Sequence, residues 1–307
     1  MCQFKSGIIL KDRVFIPDYD SHTDMLQELK IEDTAENARR LFVRAELIPP
    51  NDDVFAPVSS WKYHIDQDIL PEWYVAEVDE KRMRDAVTEW AKEHIHIGEK
   101  IEEITSGLHW IMDGTVGTIG GSAEIREIGG SAEVENICDT AEVENVCGSA
   151  EVKYIYGSAK VENICGSAKV KYIYGSAKVV KVYGSAKVVK VYGSAKVVNV
   201  CGSAKVVKVC GSAKVVNVFG SAKVVNVFGS AKVVNVCGSA KVVKVCGSAK
   251  VVNVFGSATV ITDSVSTWYN ADAVCIKDEA VLIDRYNKKI YPAGAFETVI
   301  AGGKKDE

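Results

Sequence analysis

Residues 139–174 read DTAEVENVC-GSAEVKYIY-GSAKVENIC-GSAKVKYIY. They are four copies of one nonapeptide, and the copies alternate. The first and third carry Glu-Asn at the sixth and seventh positions, and the second and fourth carry Lys-Tyr. Self-similarity at a short fixed period marks a solenoid, in which each repeat buries its apolar face only against its neighbours. Working outward, sixteen consecutive nonapeptides fill residues 121–264, and a weaker copy over 112–120 precedes them.

Counting from the Gly, the third position is always Ala and the fifth is always Val or Ile, as is the eighth until Asp263 in the last unit. The fourth, sixth and seventh positions accept Glu, Lys, Asn, Tyr and Thr, so they are the solvent side. The third, fifth and eighth positions therefore point inward, and the third-to-fifth stretch reads as a short strand of period two. Two successive outward positions imply a bend at the sixth and seventh. A second bend is expected at the first two positions, where Gly reaches positive φ freely and Asp139 is the lone replacement.

The alternation sets the true period of 139–174 at 18 residues, and Asn145, Asn163, Asn199, Asn217, Asn235 and Asn253 continue one lane of it. We read two nonapeptides per coil, stacked at ~4.8 Å. A record of gene duplication alone would give the same period, whereas a 27-residue, three-sided coil gains no support from it. The cysteines discriminate: an 18-residue coil stacks Cys147 on Cys165, while a nine-residue coil pairs Cys138 with Cys147. Seven of the nine cysteines occupy the same repeat position, so their number reflects copying and not a disulfide framework. With no export signal visible, the expectation is reduced thiols and a cytoplasmic location. No run of 18 apolar residues is present, which argues against a membrane partner.

The flanks differ in kind. Residues 1–111 read as an α/β capping domain: a hairpin around Lys11-Asp12-Arg13, a helix opened by Ser21 with Asp24, strands over 41–47 and 61–65, and a long helix over 79–95. Residues 112–264 form the solenoid. Residues 265–307 supply a C-terminal cap with irregular strands near 273–276, 280–283 and 289–291, Trp268 and Tyr269 as a plug, and a polar tail over 302–307. The fold class is mainly β: a parallel β-solenoid with an α/β cap at one end and a β cap at the other.

The opening Met1-Cys2-Gln3-Phe4-Lys5-Ser6-Gly7-Ile8, the segment from Asp20 to Met25, the strand Val43-Arg44-Ala45-Glu46-Leu47, Asp66-Gln67-Asp68 and Pro71-Glu72-Trp73-Tyr74 together resemble a group of phage and bacterial proteins. Those proteins carry such a leader before GSA-type nonapeptides. The resemblance spans nearly the whole chain and implies a phage or prophage origin, but no activity.

Charge is polarised. Residues 1–113 hold 24 acidic and 13 basic side chains, whereas 157–258 hold 16 lysines and a single acid, Glu162. The fourth position is Glu at 124, 133, 142 and 151 and then Lys in eleven straight units. Lys178, Lys187, Lys196, Lys205, Lys214, Lys223, Lys232 and Lys241 are the candidate polyanion-binding residues, because stacked lysines create a field that favours nucleic acid or another polyanion. Aromatic residues at the ninth position would add stacking surfaces if they face out. The competing explanation is solubility, with lysine guarding exposed sheet against aggregation.

A second candidate is chemical. Removal of Met1 would leave Cys2 as an N-terminal nucleophile whose own amine is the base, with His22 and Asp24, or His64 and Asp66, assisting. The opening loosely resembles N-terminal-Cys amidotransferases and abasic-site-binding proteins that begin Met-Cys-Gly, but this chain has Gln3 in place of that Gly. His94-Ile95-His96 reads as a helix end and not a metal site, and the repeat lacks the Asp-bearing turns of calcium-binding nonapeptides, so neither metal nor cofactor is expected. The leading expectation is a non-enzymatic scaffold that presents a Lys-rich repetitive surface to a polyanion or a protein. The alternative is a Cys2 enzyme or covalent DNA-binding module with the solenoid as platform. Pairing of copies through solenoid faces or caps stays open.

Overall fold

The computed structural model of the chain describes residues 5–263, 275–285 and 288–292. Trp268, Tyr269 and the tail over 302–307 lie outside them. Two compact units are present, residues 1–97 with 107–109, and residues 98–106 with 110–307.

In the first unit β1 (Lys5–Leu10) pairs antiparallel with β2 (Val14–Phe15) and β3 (Phe42–Ile48), and β3 pairs with β4 (Lys62–Ile65). Alternation along β1 and β3 gives the sheet two distinct faces. Ile8 and Phe42 point to one face and form a core with Met25 and Leu26 of α1 (His22–Glu28). Gly7 points to the other, where a Cβ would come within 3.0 Å of Met83 Cε in α3 (Ala76–His94). The expected start of α1 holds: the Ser21 hydroxyl accepts from the Asp24 amide at 3.3 Å. A one-turn helix, α2 (Ala35–Ala38), capped in the same way by Thr34, is an element the sequence reading lacks.

In the second unit each nonapeptide contributes one strand, and all but the first and last of these are five residues long, positions four to eight, as in Lys196–Val200 and Lys205–Val209. Successive strands enter two different parallel sheets, and neighbours within a sheet are 18 residues apart. Glu142 aligns with Lys160 and Glu151 with Lys169. Ala150 O accepts from Lys169 N at 2.9 Å, so the coil holds two nonapeptides. Stacking begins ahead of the first repeat, with Lys100–Ile104 aligned on Thr115–Ile119.

The inward lanes are as expected. Ala195, Val197 and Val200 are fully buried, and so are their equivalents through nearly the whole stack. Each buried Val contributes ~1.5 kcal/mol or more, but only once the next coil covers it. The internal anatomy of the unit departs from the expected strand–bend–strand. The Ala lies outside the strand, and the sixth residue is absorbed as a break in pairing: Val134 aligns with Val152 and Asn136 with Tyr154.

The bend falls at the Gly-Ser pair. Ala150 N returns to Cys147 O at 3.2 Å across Gly148 and Ser149, and φ is positive (+64°) at Gly148 but not at Ser149. Positive φ at the first central residue alone defines a type II′ turn, which favours Gly there. Stacking tightens the requirement, because a Cβ on Gly148 would stand 2.8 Å from Gly130 O. Where Asp replaces Gly it compensates with its carboxylate. Asp139 (φ +55°) accepts from Gly121 N at 3.0 Å, and Asp278 (φ +60°) accepts from Gly256 N at 2.9 Å. Asp113, in the turn before the repeats, accepts from both Ser131 N and Ser131 Oγ at 2.7 and 2.8 Å.

One further point corrects the repeat register. Asp263 does not take the inward eighth lane. A one-residue shift aligns Val245 with Thr262, which is fully buried and donates to Val245 O at 3.2 Å, while Asp263 pairs with Lys244. The stack then ends on Val281–Asp284 and an antiparallel partner, Lys289–Pro292, whose lysine and proline make a poor template for another strand.

Gly148→Ala should cost about 1–3 kcal/mol in urea unfolding, the usual scale for forced positive φ, while Ser149→Ala should change stability by less than about 0.5 kcal/mol. The Ser131 hydrogen bonds hold the Asp113 carboxyl below its usual range. Its stabilisation is therefore complete above the unfolded value of about 3.9 and is lost as pH falls through the lowered folded value. The melting-temperature gap between the wild type and Asp113→Asn should close across that acid window and stay constant above it.

Candidate functional site

The two sheets carry the lysines as two rows. Lys160, Lys178, Lys196, Lys214, Lys232 and Lys250 align on one, and Lys169, Lys187, Lys205, Lys223 and Lys241 on the other. Each row repeats at the coil spacing of ~4.8 Å. The first lysines are neutralised by the acidic coils before them. Lys169 meets Glu151 at 2.5 Å, Lys153 meets Glu135 at 2.7 Å, and Lys160 lies between Glu142 at 3.6 Å and Glu162 at 2.6 Å. Hydrogen bonding to Glu162 pushes the Lys160 ammonium up. Glu133, Glu135, Glu151, Lys153, Lys169 and Lys171 line a shallow groove of mixed sign there.

From Lys178 to Lys241 the eight candidate lysines have no carboxylate partner among the described residues. All but Lys214 are exposed. Beside one row an asparagine ladder runs coil to coil: Asn217 Nδ2 donates to Asn199 Oδ1 at 2.8 Å, Asn235 to Asn217 at 2.7 Å and Asn253 to Asn235 at 2.8 Å. Lys181 interrupts it.

The ninth position does not give a row of open stacking surfaces. Tyr156, Tyr174 and Tyr192 stack on one another with centroids 5.1 and 5.0 Å apart, and Tyr154 stacks on Tyr172 at 5.3 Å. Within these stacks the ring faces turned to a neighbouring coil are covered by the next ring. Tyr183 and Phe219 alone among these aromatics are classed as exposed large hydrophobics, at 37% and 38%.

Cys147 and Cys165 stand one coil apart, with Cα atoms 4.7 Å from each other, and form a disulfide. The expectation that all repeat cysteines are thiols is corrected for this pair. The lane logic explains why it is the exception: in that column Tyr183 and Phe219 separate Cys165, Cys201 and Cys237, and in the other column Tyr156, Tyr174, Tyr192 and Phe228 separate Cys138, Cys210 and Cys246. Burial pushes the Cys201 and Cys237 thiols up, away from a nucleophilic state.

Among the chemical candidates, Cys2 lies outside the described residues. His22 is not paired with Asp24, which is exposed on α1. Its Nδ1 faces Asp66 Oδ2 at 3.1 Å, and its Nε2 faces Ala45 O at 3.3 Å. His64 stands across the sheet from Glu46 in the strand register. Burial pushes the Glu46 carboxyl up, against the opposing influence of His22. His94 ends α3 as expected: its Nδ1 meets Trp90 O at 2.7 Å and its Nε2 meets Asp18 at 2.9 Å. Lys5 is a buried cation that sequence reasoning missed, held by Asp20 Oδ1 at 3.1 Å and by Pro17 O, with its Nζ 4.6 Å over the Trp90 ring.

No helix among the described residues is long and apolar enough to cross a membrane. Comparison of the chain with protein-family models, with curated proteins and with solved structures gave no match.

Peptide mapping of the non-reduced protein should recover Cys147 linked to Cys165. Cys138 and Cys210, the buried free thiols, should be alkylated only after denaturation. A Cys138–Cys147 link would contradict the 18-residue coil.

Proposed function

We propose that the protein is a non-catalytic repeat scaffold whose solenoid presents rows of lysines to a linear polyanion. The observation that carries this reading is the in-register stacking of eight unneutralised lysines, Lys178 to Lys241, four on each sheet. Like charges repeated at ~4.8 Å repel one another by roughly 1 kcal/mol per neighbouring pair even in water. An extended chain of phosphates or sulfates laid along a row removes that repulsion and releases its own counterions. The first coils show that glutamates at the fourth position relieve the same strain internally, as Glu151 does for Lys169. The unpaired rows are therefore a surface open to an external anion.

The covered tyrosine faces favour recognition by charge and periodicity over base stacking. The reading includes the phage or prophage origin and cytoplasmic setting expected from the sequence, where a nucleic acid is the most abundant polyanion.

A fluorescein-labelled single-stranded oligonucleotide should bind at low salt with a logarithmic salt slope of about −3, as four phosphate contacts on one row require. Lys196→Glu, Lys214→Glu and Lys232→Glu together should abolish binding on that row. Undetectable binding at low salt would leave the lysines with a solubility role only.

A further inference from the structure

The scaffold reading makes no use of a group of side chains on the first unit's sheet, on the face that carries α1. We propose that His22, Glu46 and Asp66 form a binding site for one divalent first-row transition-metal ion.

Their ligand atoms, one imidazole nitrogen and two carboxylate oxygens, all lie within 4.8 Å of one another. Donors that share a tetrahedral ion at ~2.0–2.2 Å stand ~3.3–3.6 Å apart, so the three groups have to draw together by at most roughly 1.5 Å to close on it. The three come from separate but fixed places. His22 opens α1 behind the Ser21 cap, Glu46 lies on β3 between two paired strands, and the Asp66 amide is held by Arg44 O at 3.0 Å just past β4.

The histidine is oriented as a ligand. Its ring is nine-tenths buried, and Nε2 donates to the Ala45 carbonyl at 3.3 Å. A metal-binding histidine commonly anchors its second nitrogen on such a carbonyl, which fixes the tautomer and aims the other lone pair at the ion. Here Nδ1 points to the two carboxylates. Nδ1 lies 3.1 Å from Asp66 Oδ2, so a cation held between them would meet both ligands.

A second observation stands beside the site. Ser6 pairs with Glu46 across β1 and β3, so the two side chains share this face. Ser6 is fully buried, and its Oγ is the one buried side-chain polar atom without a hydrogen-bond partner among the described residues. The Glu46 carboxylate likewise has no hydrogen bond or ion pair there. A buried hydroxyl without a partner is destabilising, and a metal-bound water beside Glu46 would give it one. Asp66 is half exposed, so ions can enter from solvent. One imidazole with two carboxylates suits Zn²⁺, Mn²⁺, Fe²⁺ or Co²⁺, and two negative charges neutralise a divalent ion; Ca²⁺ and Mg²⁺ prefer all-oxygen shells.

The test uses the chelator-stripped full chain. Calorimetric titration with Zn²⁺ should show one equivalent bound. Co²⁺ should give ligand-field bands without the thiolate charge-transfer band that cysteine ligation would produce. His22→Ala, Glu46→Gln and Asp66→Asn should each weaken Zn²⁺ binding at least about tenfold, while His96→Ala should leave it unchanged. If His22→Ala fails to fold, the exposed Asp66→Asn still decides: Zn²⁺ should raise the melting temperature of the wild type and not of this variant. Absence of binding, a thiolate band, or affinity unchanged in Asp66→Asn would overturn the site and leave His22–Asp66 as an ion pair.

Discussion

The second unit depends on one constraint: every nonapeptide must place its alanine and two β-branched residues directly over those of the nonapeptide one coil before it. A single coil cannot bury Val197, Val200 and Ala195, since the atoms that cover them belong to its neighbours. The hydrogen-bond ladder imposes the same spacing and does not stop at the turns. Cys147 N, Ser149 N and Glu151 N donate to Ile128 O, Gly130 O and Ala132 O at 2.8 to 2.9 Å, so strand, turn and strand are paired without interruption. A residue that widened one turn would break the ladder and the core together. This explains why Gly holds the first position almost throughout and why Asp139 survives there only with a carboxylate bonded to the next turn.

Exact stacking also turns each outward position into a lane of like with like. For asparagine and tyrosine the result is favourable, as amide joins amide and ring covers ring. For cysteine it creates a disulfide wherever two fall in adjacent coils of one column, as Cys147 and Cys165 do. For lysine it creates repulsion. The same geometry that makes the fold cooperative therefore makes its surface electrostatically incomplete once the glutamates end at Glu151.

Much of this was legible because a lane is a linear fact. The 18-residue coil follows from the Glu-Asn/Lys-Tyr alternation, and the buried lanes from which positions tolerate charge. What escaped were features without period. Whether the sixth residue makes a corner or a break in pairing depends on twist between coils, to which a list of inward positions is blind. The shift that buries Thr262 in place of Asp263 is decided by the cost of an unpaired inward carboxylate, a cost that lies in the packed state. In the first unit, the Ser21 cap is a local pattern and was readable. The pairing of His22 with Asp66 spans 44 residues, and the sheet register together with the start of α1 brings it about. Nearest acidic neighbours in sequence, Asp24 for His22 and Asp66 for His64, were the natural guess; in the fold His22 takes Asp66, and His64 stands opposite Glu46.

The two proposed sites thus arise by opposite routes. In the solenoid a residue acquires meaning by repetition: one lysine at the fourth position is a solvated surface charge worth little, and a row of them is a field whose strength grows with every coil copied. Duplication of the nonapeptide is then sufficient to build the proposed binding surface, with no residue placed individually. In the N-terminal unit the reverse holds. Ser6, His22, Glu46 and Asp66 occur once each, on four different segments, and only the β1–β3–β4 register and the start of α1 bring them together. Copying cannot generate such a cluster, and removing one member cannot be compensated by its neighbours. Loss of a single lysine should therefore be tolerated by the solenoid surface in a way that loss of His22 is not tolerated by its cluster.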